Sequence, residues 1–292
     1  MALPQGTTGS TMPRRQLGRQ LRELRTRARM TTRLAARQLE WSEAKIWRIE
    51  TGQTSLRSLD VEAMCKIYGA PEAVVAPLAA LAKETKSRGW WTGYSDVIPE
   101  GFEVYIGLEE AARTVTTYEN ELVPGLLQTE DYARALITAA CPELSAAEVD
   151  RRVRLRLTRQ QLILRDEAPV QLDVVIAESV LWRRIGGPEV AAAQLDHLRR
   201  MCDRPNIRMQ AVQSESEYHD GMATGHFVVL EFPEFSAGEQ SEPPVVYIEA
   251  FTSSVYLDKA PEVDRYRSAF ASIKAVSVDA RALIEDARAS LG

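Results

Sequence analysis

Apolar residues recur at helical spacing near the start of the chain, on a segment that is also rich in arginine. The apolar positions are Leu17, Leu21, Leu24 and Ala28. Arginines occupy positions 14, 15, 19, 22, 25 and 27. This pattern predicts an amphipathic helix with an apolar inner face and a strongly basic outer face.

A second, shorter helix is predicted over Thr32–Leu39. Its inward residues are expected to be Leu34, Ala35 and Leu39. Glu40 and Trp41 then form a tight turn.

A third helix is predicted from Glu43 to about Glu50. Ser42 is a favourable N-cap, and Gly52 is a favourable left-handed residue at which to end the helix. Two short helices joined by a tight turn, beside a basic first helix, indicate a helix-turn-helix. The third helix would enter the major groove of DNA.

The hydrophobic period changes further along the chain. Strands are predicted at Val170–Ala177, Ile207–Val212, Phe227–Phe232 and Val245–Phe251. Helices are predicted at Leu108–Glu121, Thr129–Ala139, Ser145–Arg165 and Glu189–Cys202, and over most of Ala260–Leu291. Gly89–Gly107 is predicted to be irregular, with aromatic residues that pack onto the second domain. The order from 170 to 212 indicates a parallel crossover, and the later, closely spaced strands indicate antiparallel pairing.

These patterns predict an α+β chain with two domains. Residues 1–13 are expected to be a disordered tail, because they are small, polar and without periodicity. Residues 14–88 are expected to be an all-α, five-helix helix-turn-helix domain. Residues 89–292 are expected to be a larger regulatory domain of helices and a mixed β-sheet.

Charge is divided unevenly along the 292 residues, although the net charge is only −5. Residues 1–70 contain 13 basic and 6 acidic residues, whereas the remainder contains 23 basic and 35 acidic residues. A basic module on an acidic body is typical of a protein that binds a polyanion at one end only.

The three cysteines, at positions 65, 141 and 202, are odd in number and widely spaced. This spacing is unlike that of a disulfide framework or a zinc site. The sequence shows no signal-peptide hydrophobic region and no apolar run long enough to span a bilayer. We therefore expect a cytoplasmic, nucleoid-associated protein with no membrane contact.

The run from Leu17 to Gly52 resembles the XRE-type, lambda-repressor-like helix-turn-helix. The resemblance rests on LRELR (21–25), LAARQL (34–39) and SEAKIWRIETG (42–52). It implies five helices, of which Ser58–Tyr68 and Pro71–Arg88 would be the last two. The apolar spacing after Pro71 fits either a fifth helix or a connecting helix, and Pro77 is expected to kink it. The resemblance also implies an ion pair between Arg25 and Glu50, which flank the inward residues Leu24 and Ile49.

Three positions depart from that family pattern. Thr32 stands where a glutamine usually begins the second helix, and Glu40 stands where the turn usually has glycine. Trp47 replaces a small polar residue. These departures affect the expected operator sequence and affinity more than the fold.

The second part of the chain resembles the large C-terminal domain of WhiJ-type regulators of actinomycetes. The motifs that carry the resemblance are WWTGY (90–94), YIGLEEAA (105–112), YENELVPGLLQTEDYARAL (118–136), RLTRQQLI (156–163), QLDHLRRM (194–201) and VVYIEAF (245–251). The resemblance implies a transcription regulator of the XRE family, whose gene often neighbours that of a small acidic partner protein.

Double-stranded DNA is therefore the expected partner, bound by a homodimer. The residues predicted to contact DNA are Thr32, Arg33, Ser42, Glu43, Ala44, Lys45, Trp47, Arg48 and Gln53. For Trp47, a contact with protein is an equal alternative to a contact with the sugar-phosphate edge.

The second domain is expected to bind a small acidic partner protein or a small-molecule effector. Aromatic residues with a few polar groups are typical of such clefts. The candidates are Trp90, Trp91, Tyr94, Tyr118, Gln128, Arg159 and Glu178. For Trp90 and Trp91, packing in a core is the favoured alternative.

Enzymatic chemistry is not predicted. The sequence has no phosphate-binding loop and no dinucleotide-binding glycine fingerprint, and its three histidines lack metal-ligand spacing. We expect no catalytic residue, metal or cofactor. Two alternatives stay open: an antitoxin-like protein that sequesters a small partner, and an enzyme with a DNA-binding N-terminal module.

Overall fold

The computed structural model describes residues 11–86, 89–99, 101–233 and 242–291. Its contacts divide the chain into two compact units. The first is drawn from Met1–Ser95 and Pro99–Ala111, and the second from Asp96–Ile98 and Ala112–Gly292. The first unit thus continues past the predicted boundary at residue 88, which itself lies outside the described residues.

The first unit consists of helices. They are α1 (Thr11–Arg27), α2 (Thr32–Gln38), α3 (Glu43–Glu50), α4 (Ser58–Tyr68), α5 (Glu72–Glu84) and α6 (Phe102–Ala111), with a 3-10 turn at Trp90–Tyr94. The first five are the predicted helix-turn-helix set. Pro77 lies inside α5, where its missing N–H removes one backbone hydrogen bond.

Two details near the start of this unit differ from prediction. Residues 1–10 of the predicted tail lie outside the described residues, but residues 11–13 are helical. Thr11 is buried because it lies against Gly107 of α6. Leu34 was predicted to face inward, yet it is 38% exposed, so Ala35 and Ala36 form the inner face of α2.

The core of this unit is a cluster of apolar side chains contributed by all of the first five helices. Its members include Leu17, Leu21, Ile46, Ile49 and Met64, none of which is more than 2% exposed. This burial, and not helix propensity, supplies most of the stability of such short helices.

Helix α1 and the end of α3 approach closely at Gly18. A Cβ at this position would lie 2.3 Å from the carbonyl oxygen of Ile49, so only glycine fits. Gly52 has φ +74° and ends α3, as predicted. The two glycines fix where α3 lies on α1.

The predicted ion pair between Arg25 and Glu50 is confirmed. Arg25 Nε donates to Glu50 Oε1 at 2.5 Å, and Arg25 Nη2 donates to Oε2 at 2.8 Å. The two side chains are only 12% and 6% exposed. Arg25 Nη1 also donates to the carbonyl oxygen of Met30 at 2.7 Å, so the pair joins α1, α3 and the loop before α2.

The aromatic segment after α5 was predicted to be irregular and to pack onto the second domain. Instead, Trp90–Tyr94 is a 3-10 turn, and α6 begins at Phe102. Trp91 is 4% exposed and lies against Gly89 and Gly107, within the first unit. The small glycine residues leave the space that the indole ring fills.

The second unit combines helices with one sheet. Its helices are α7 (Glu130–Ala140), α8 (Ala146–Leu164), α9 (Ser179–Trp182), α10 (Pro188–Met201), α11 (Gly221–Thr224), α12 (Ala260–Ala275) and α13 (Ala280–Ala289). Its strands are β1 (Thr114–Glu119), β2 (Gln171–Ala177), β3 (Ile207–Val212), β4 (Phe227–Glu231), β5 (Val245–Glu249), β6 (Ser254–Leu257) and β7 (Ser277–Asp279).

The seven strands form a mixed sheet in the order β6-β5-β4-β1-β2-β3-β7. Strands β1, β2 and β3 are parallel, and the other pairings are antiparallel. The α+β architecture with a mixed sheet is confirmed, as is the parallel crossover between β2 and β3.

The helix predicted over Leu108–Glu121 is wrong in its second half. Helix α6 ends at Ala111, and Thr114–Glu119 forms the central strand β1. The β-branched residues of this segment, with their alternating burial, favour a strand once β2 and β4 pair on either side. The short strands β6 and β7 were also missed.

One side of the sheet packs under α12. Its cluster includes Tyr118, Val175, Phe227, Val229 and Ile273, each less than 4% exposed. Tyr118, Val175 and Phe227 lie side by side on β1, β2 and β4. The central strands are thereby fixed to the C-terminal part of the chain. None of the described helices is long and apolar enough to cross a membrane.

We predict that Glu50→Ala lowers the free energy of unfolding of the first unit by about 3–5 kcal/mol, because it leaves the Arg25 guanidinium buried without its carboxylate. Glu23→Ala is the matched control, since Glu23 pairs with Arg27 at 3.8 Å and both side chains are more than half exposed. Its cost should be about 0–1 kcal/mol. Hydrogen exchange of the α3 amides in the full chain measures both, and equal protection in the two variants would contradict the prediction.

Candidate nucleic-acid interface

Helices α2 and α3 have the caps and the tight turn of a helix-turn-helix. The N–H of Leu34 donates to Thr31 Oγ1 at 3.1 Å, and the N–H of Lys45 donates to Ser42 Oγ at 3.2 Å. Each cap satisfies an N–H that the first helical turn leaves unpaired. Ser42 is the N-cap that the sequence predicted.

The turn between the helices contains an unusual backbone conformation at Glu40. This residue has φ +55°, in the left-handed region where glycine is usual. The N–H of Trp41 donates to the carbonyl oxygen of Ala36 at 2.8 Å and closes the turn. Glycine usually adopts this left-handed conformation in such a turn. Here Glu40 adopts it, at a cost in backbone strain.

Helix α3 presents one face to the core and the other to solvent. Ile46 and Ile49 are 0% and 1% exposed. The outward residues are Glu43, Ala44, Trp47 and Arg48, all of them exposed. Trp47 is 55% exposed, which is unusual for so large an apolar side chain.

Lys45 lies at the side of this exposed face. Its ammonium group is 3.4 Å from the centroid of the Trp41 ring, and this cation–π contact directs the flexible lysine chain. Trp41 in turn packs against the core. The position of the charge of Lys45 is thus set by the fold.

A basic hollow of about 390 Å³ lies beside α3. Four basic side chains line it: Lys45, Arg48, Arg57 and Lys86. Its acidic residue, Asp60, accepts from Arg57 Nε at 2.9 Å and Nη2 at 3.0 Å. The hydrogen bond from Arg57 lowers the pKa of Asp60, and the charge of Lys45 lowers it further. Positive charge predominates, as a phosphate-binding surface requires.

Arg57 and Lys86 were not among the predicted DNA contacts. Arg57 is the N-cap residue of α4, and Lys86 follows the end of α5. The cue in the sequence is the short polar loop between Gly52 and Ser58, which brings the next helix start close to α3. Lys86 is brought close to α3 by the tertiary packing of α5, and no local sequence signal indicates this.

The other predicted contacts surround α3. Thr32 is half-buried and Arg33 exposed, both in the first turn of α2. Gln53 is exposed, and its N–H donates to the carbonyl oxygen of Arg48 at 2.8 Å. The structure thus gathers the start of α2, the outer face of α3 and the loop after it.

Comparison with known families agrees with this geometry. Residues 16–78 match the family described as Helix-turn-helix domain. Residues 102–285 match the family described as Domain of unknown function (DUF5753), over more than half of the chain. The chain belongs to the DUF5753 family. Comparison with curated proteins and with solved structures finds no match. The helix-turn-helix match supports a DNA-binding regulator.

The residues predicted to bind a ligand or partner do not form one group. Trp90, Trp91 and Tyr94 lie before the DUF5753 match, in the 3-10 turn of the first unit. Tyr118 is 3% exposed in the cluster under α12, so its ring is part of the core. Glu178 accepts from the N–H of Ser214 at 2.8 Å and so joins two loops.

Gln128 belongs to a buried polar network around the 3-10 turn Gly125–Leu127. Arg159 is also buried, and its guanidinium group lies beside Gly125. Gln128 Nε2 donates to the carbonyl oxygen of Val123 at 2.7 Å. Gln160 Nε2 donates to the carbonyl oxygen of Gln128 at 2.6 Å. Gln194 Nε2 donates to Leu127 O at 2.8 Å, and its Oε1 accepts from Thr129 N at 2.7 Å.

This network satisfies the backbone of a turn that enters the protein interior. In the DUF5753 domain, the PGLLQT segment is therefore held by side-chain amides from α8 and α10. Gln128 is 2% and Arg159 5% exposed, and neither side chain is freely accessible.

The three histidines of the chain lie among the described residues of the DUF5753 domain. His219 is 3% exposed, and its ring meets the Tyr118 ring edge-on at 5.9 Å. Burial lowers the pKa of His219, which favours the neutral imidazole. No group of three His, Cys, Asp or Glu side chains suited to a metal ion occurs among the residues that the structure describes.

Glu119 at the end of β1 has an unusually basic carboxyl group. Burial of the carboxylate, and then the charge of Glu249, raise the pKa of Glu119 to about 8. A weak hydrogen bond from Thr117 Oγ1 at 3.5 Å opposes this shift. The carboxyl group is therefore protonated in the folded protein at neutral pH.

The raised pKa of Glu119 determines whether the folded state gains or loses stability as the pH changes. Between the ordinary glutamate pKa and about 8, the folded state keeps a proton that the unfolded chain releases, so stability falls as the pH rises through this window. We predict that Glu119→Gln raises the melting temperature above that of the wild type at and above about pH 8. The difference should shrink towards about pH 5, where both side chains are neutral in the fold.

The control is Glu217→Gln, since Glu217 is an exposed loop residue. Its effect on the melting temperature should be small at every pH. If the melting temperatures of Glu119→Gln and the wild type differed by the same amount at every pH, the carboxyl group of Glu119 would have an ordinary pKa.

Proposed function

We propose that the chain is a sequence-specific DNA-binding transcriptional regulator that reads the major groove with α3. The observation that carries this proposal is the outer face of α3, which is exposed along its length and borders the basic hollow. The opposite face is fixed by Ile46, Ile49 and the Arg25–Glu50 pair. A rigid helix with an unoccupied outer face is suited to the groove.

Base contacts are assigned to the N-terminal and central residues of α3. Arg48 is suited to donate to O6 and N7 of a guanine, and Glu43 to accept from N4 of a cytosine. The methyl group of Ala44 is suited to contact the methyl group of a thymine. These three residues would specify sequence.

Phosphate contacts are assigned to the residues around α3. Lys45, Arg57 and Lys86 line the basic hollow, and Ser42 and Gln53 lie at the two ends of α3. Thr32 and Arg33 belong to the start of α2, where helix N–H groups also favour an anion. These groups would position α3 without reading sequence.

The exposed indole of Trp47 lies on the same face as Arg48. We assign it to the sugar edge of the DNA, because a large apolar surface on a DNA-facing helix gains most when water is removed from it. Its 55% exposure in the free chain is the observation that supports this role.

The finer assignment follows from sequence resemblance. XRE-type helix-turn-helix regulators and WhiJ-type regulators of actinomycetes provide the motifs, and we propose the same class here. A homodimer would place two α3 helices in successive major grooves, about 34–36 Å apart. Such a regulator would act in the cytoplasm at the nucleoid, without an enzymatic reaction or a cofactor.

The DUF5753 domain is proposed to sense an effector, either a small molecule or a small acidic protein. The alternative is an antitoxin-like role in which the domain sequesters that protein. One observation favours a protein partner: Phe251 is fully exposed between β5 and the edge strand β6. Phe251→Ser should then abolish co-purification with a co-expressed acidic partner and leave DNA binding intact.

We predict that Arg48→Ala weakens operator binding by roughly 1–3 kcal/mol and relaxes base preference at one position. Lys45→Ala should weaken binding to all DNA sequences by the same factor, because the proposed contact of Lys45 is to phosphate. Duplexes selected from a random pool by the full chain provide the operator, and gel shifts with single-base variants of it measure both effects.

Lys66→Ala is the control, because Lys66 is exposed in the last turn of α4, away from the hollow at the start of that helix. Melting curves verify that each variant is folded. If Arg48→Ala keeps both the affinity and the base preference of the wild type, α3 is not the reading helix.

A further inference from the structure

A large hollow in the DUF5753 domain lies where strands β1, β2 and β3 begin. Its volume is about 800 Å³. Residues from the starts of β2 and β3 line it together with the loop before β3, the end of α12, and β7. The lining includes the polar residues Asp173, Arg204, Arg208, Gln210 and Lys274.

Three buried polar atoms at this hollow have no hydrogen-bond partner among the described residues. They are Asp173 Oδ1, Gln210 Oε1 and Arg204 Nε. Buried polar atoms in folded proteins are nearly always paired, so each of these exceptions requires an explanation. Two are acceptors and one is a donor, and all three belong to the lining of a single hollow.

The charges around the hollow are also incompletely paired. Asp173 Oδ2 accepts from Lys274 Nζ at 2.6 Å, and Asp279 accepts from Arg281 at 2.8 Å. Asp203 pairs with Arg199 at 3.0 Å. The carboxylates are therefore already neutralised by other cations.

Two guanidinium groups have no such partner. Arg208 is exposed next to Asp173 on the neighbouring strand, yet within the described chain it makes no ion pair; the cation paired with Asp173 is Lys274, through Oδ2. Arg204 donates Nη2 to the carbonyl oxygen of Leu164 at 3.1 Å and contacts no described carboxylate. Together these arginines give the hollow an unneutralised positive side.

We propose that this hollow binds a small anionic ligand that also carries hydroxyl or ammonium donors. The anionic group would lie on Arg208 and Arg204, where guanidinium N–H groups favour carboxylate or phosphate oxygens. The donors would satisfy Asp173 Oδ1 and Gln210 Oε1. Sugar phosphates and amino dicarboxylic acids share this chemistry.

The volume supports a small molecule. Binding sites for small ligands typically measure about 300–1,000 Å³, and a few polar groups set the orientation of the ligand. The hollow is made by three strands and the end of α12, all within the second unit. A ligand there would bridge the start of the parallel strands to α12 through Lys274.

The experiment is calorimetric titration of the full chain, without DNA, in a phosphate- and sulfate-free buffer. The probes are matched in pairs. Glucose 6-phosphate has an anion and donors, whereas glucose has donors only. L-Glutamate has carboxylates and an ammonium group, whereas glutarate lacks the ammonium group. Sulfate supplies an anion without donors. The first member of each pair should bind, and its partner and sulfate should bind at least about tenfold more weakly.

Two substitutions locate the binding. Arg208→Gln removes an exposed cation and should weaken the binding probe about tenfold or more. Gln210→Ala removes the unpaired acceptor and should weaken glucose 6-phosphate or L-glutamate but not sulfate. Arg154→Gln is the control, because Arg154 is exposed on α8 and does not line the hollow. Melting curves confirm that each variant is folded.

Binding of glucose 6-phosphate or of L-glutamate that is lost in Arg208→Gln and kept in Arg154→Gln supports the site and identifies the ligand class. No binding of any probe up to about 10 mM overturns the proposal. So does equal weakening by Arg208→Gln and Arg154→Gln, or sulfate binding as tight as that of the better probe.

A regulatory role for this ligand rests on the proposed function, whereas its binding does not. The titration contains no DNA, so its failure leaves the DNA-binding proposal untouched. Conversely, loss of DNA binding in Arg48→Ala does not affect the titration. A second gel-shift series with and without the bound probe then tests whether the two are coupled.

Discussion

The position of α3 depends on one buried ion pair. Arg25 and Glu50 bond through two hydrogen bonds, and Arg25 extends the contact to Met30. The hydrogen bond to Glu50 raises the pKa of Arg25, so the guanidinium group stays charged. Because Gly18 allows the end of α3 to approach α1, the ion pair closes over a short distance. The outward direction of Arg48 and Trp47 follows from that geometry.

In the second unit, buried polar groups are also paired with one another, but here the groups are neutral amides. Side-chain amides of Gln128, Gln160 and Gln194 satisfy the turn at Gly125–Leu127, so an irregular segment can lie inside the domain. At the hollow where strands β1, β2 and β3 begin, the pairing of polar groups is left incomplete. The amides at the turn are paired, whereas Asp173 Oδ1, Gln210 Oε1 and Arg204 Nε at the hollow have no partner among the described residues.

Much of the first unit could be predicted because its signals are local. The caps, the stop at Gly52 and the helical spacing around Ile46 and Ile49 all lie within a few residues of the elements that they define. Strand β1 was missed since it depends on two partners that are more than 50 residues away in the chain. The ligand candidates do not form one group, because aromatic composition does not indicate which unit a side chain packs into. The basic hollow needed Lys86, which only tertiary packing brings to α3.

The burial of the Arg25–Glu50 pair separates folding from DNA binding in their response to ionic strength. At 0.1 M salt, mobile ions largely screen the interaction between exposed charges that are more than about 10 Å apart, and higher salt shortens this distance. A buried ion pair is screened much less. The side chains around the basic hollow are open to solvent, whereas those of the ion pair are not. Concentrated salt can therefore remove the chain from nucleic acid while α3 stays seated on α1. The protein can then be freed of bound nucleic acid during purification and returned to low salt without refolding.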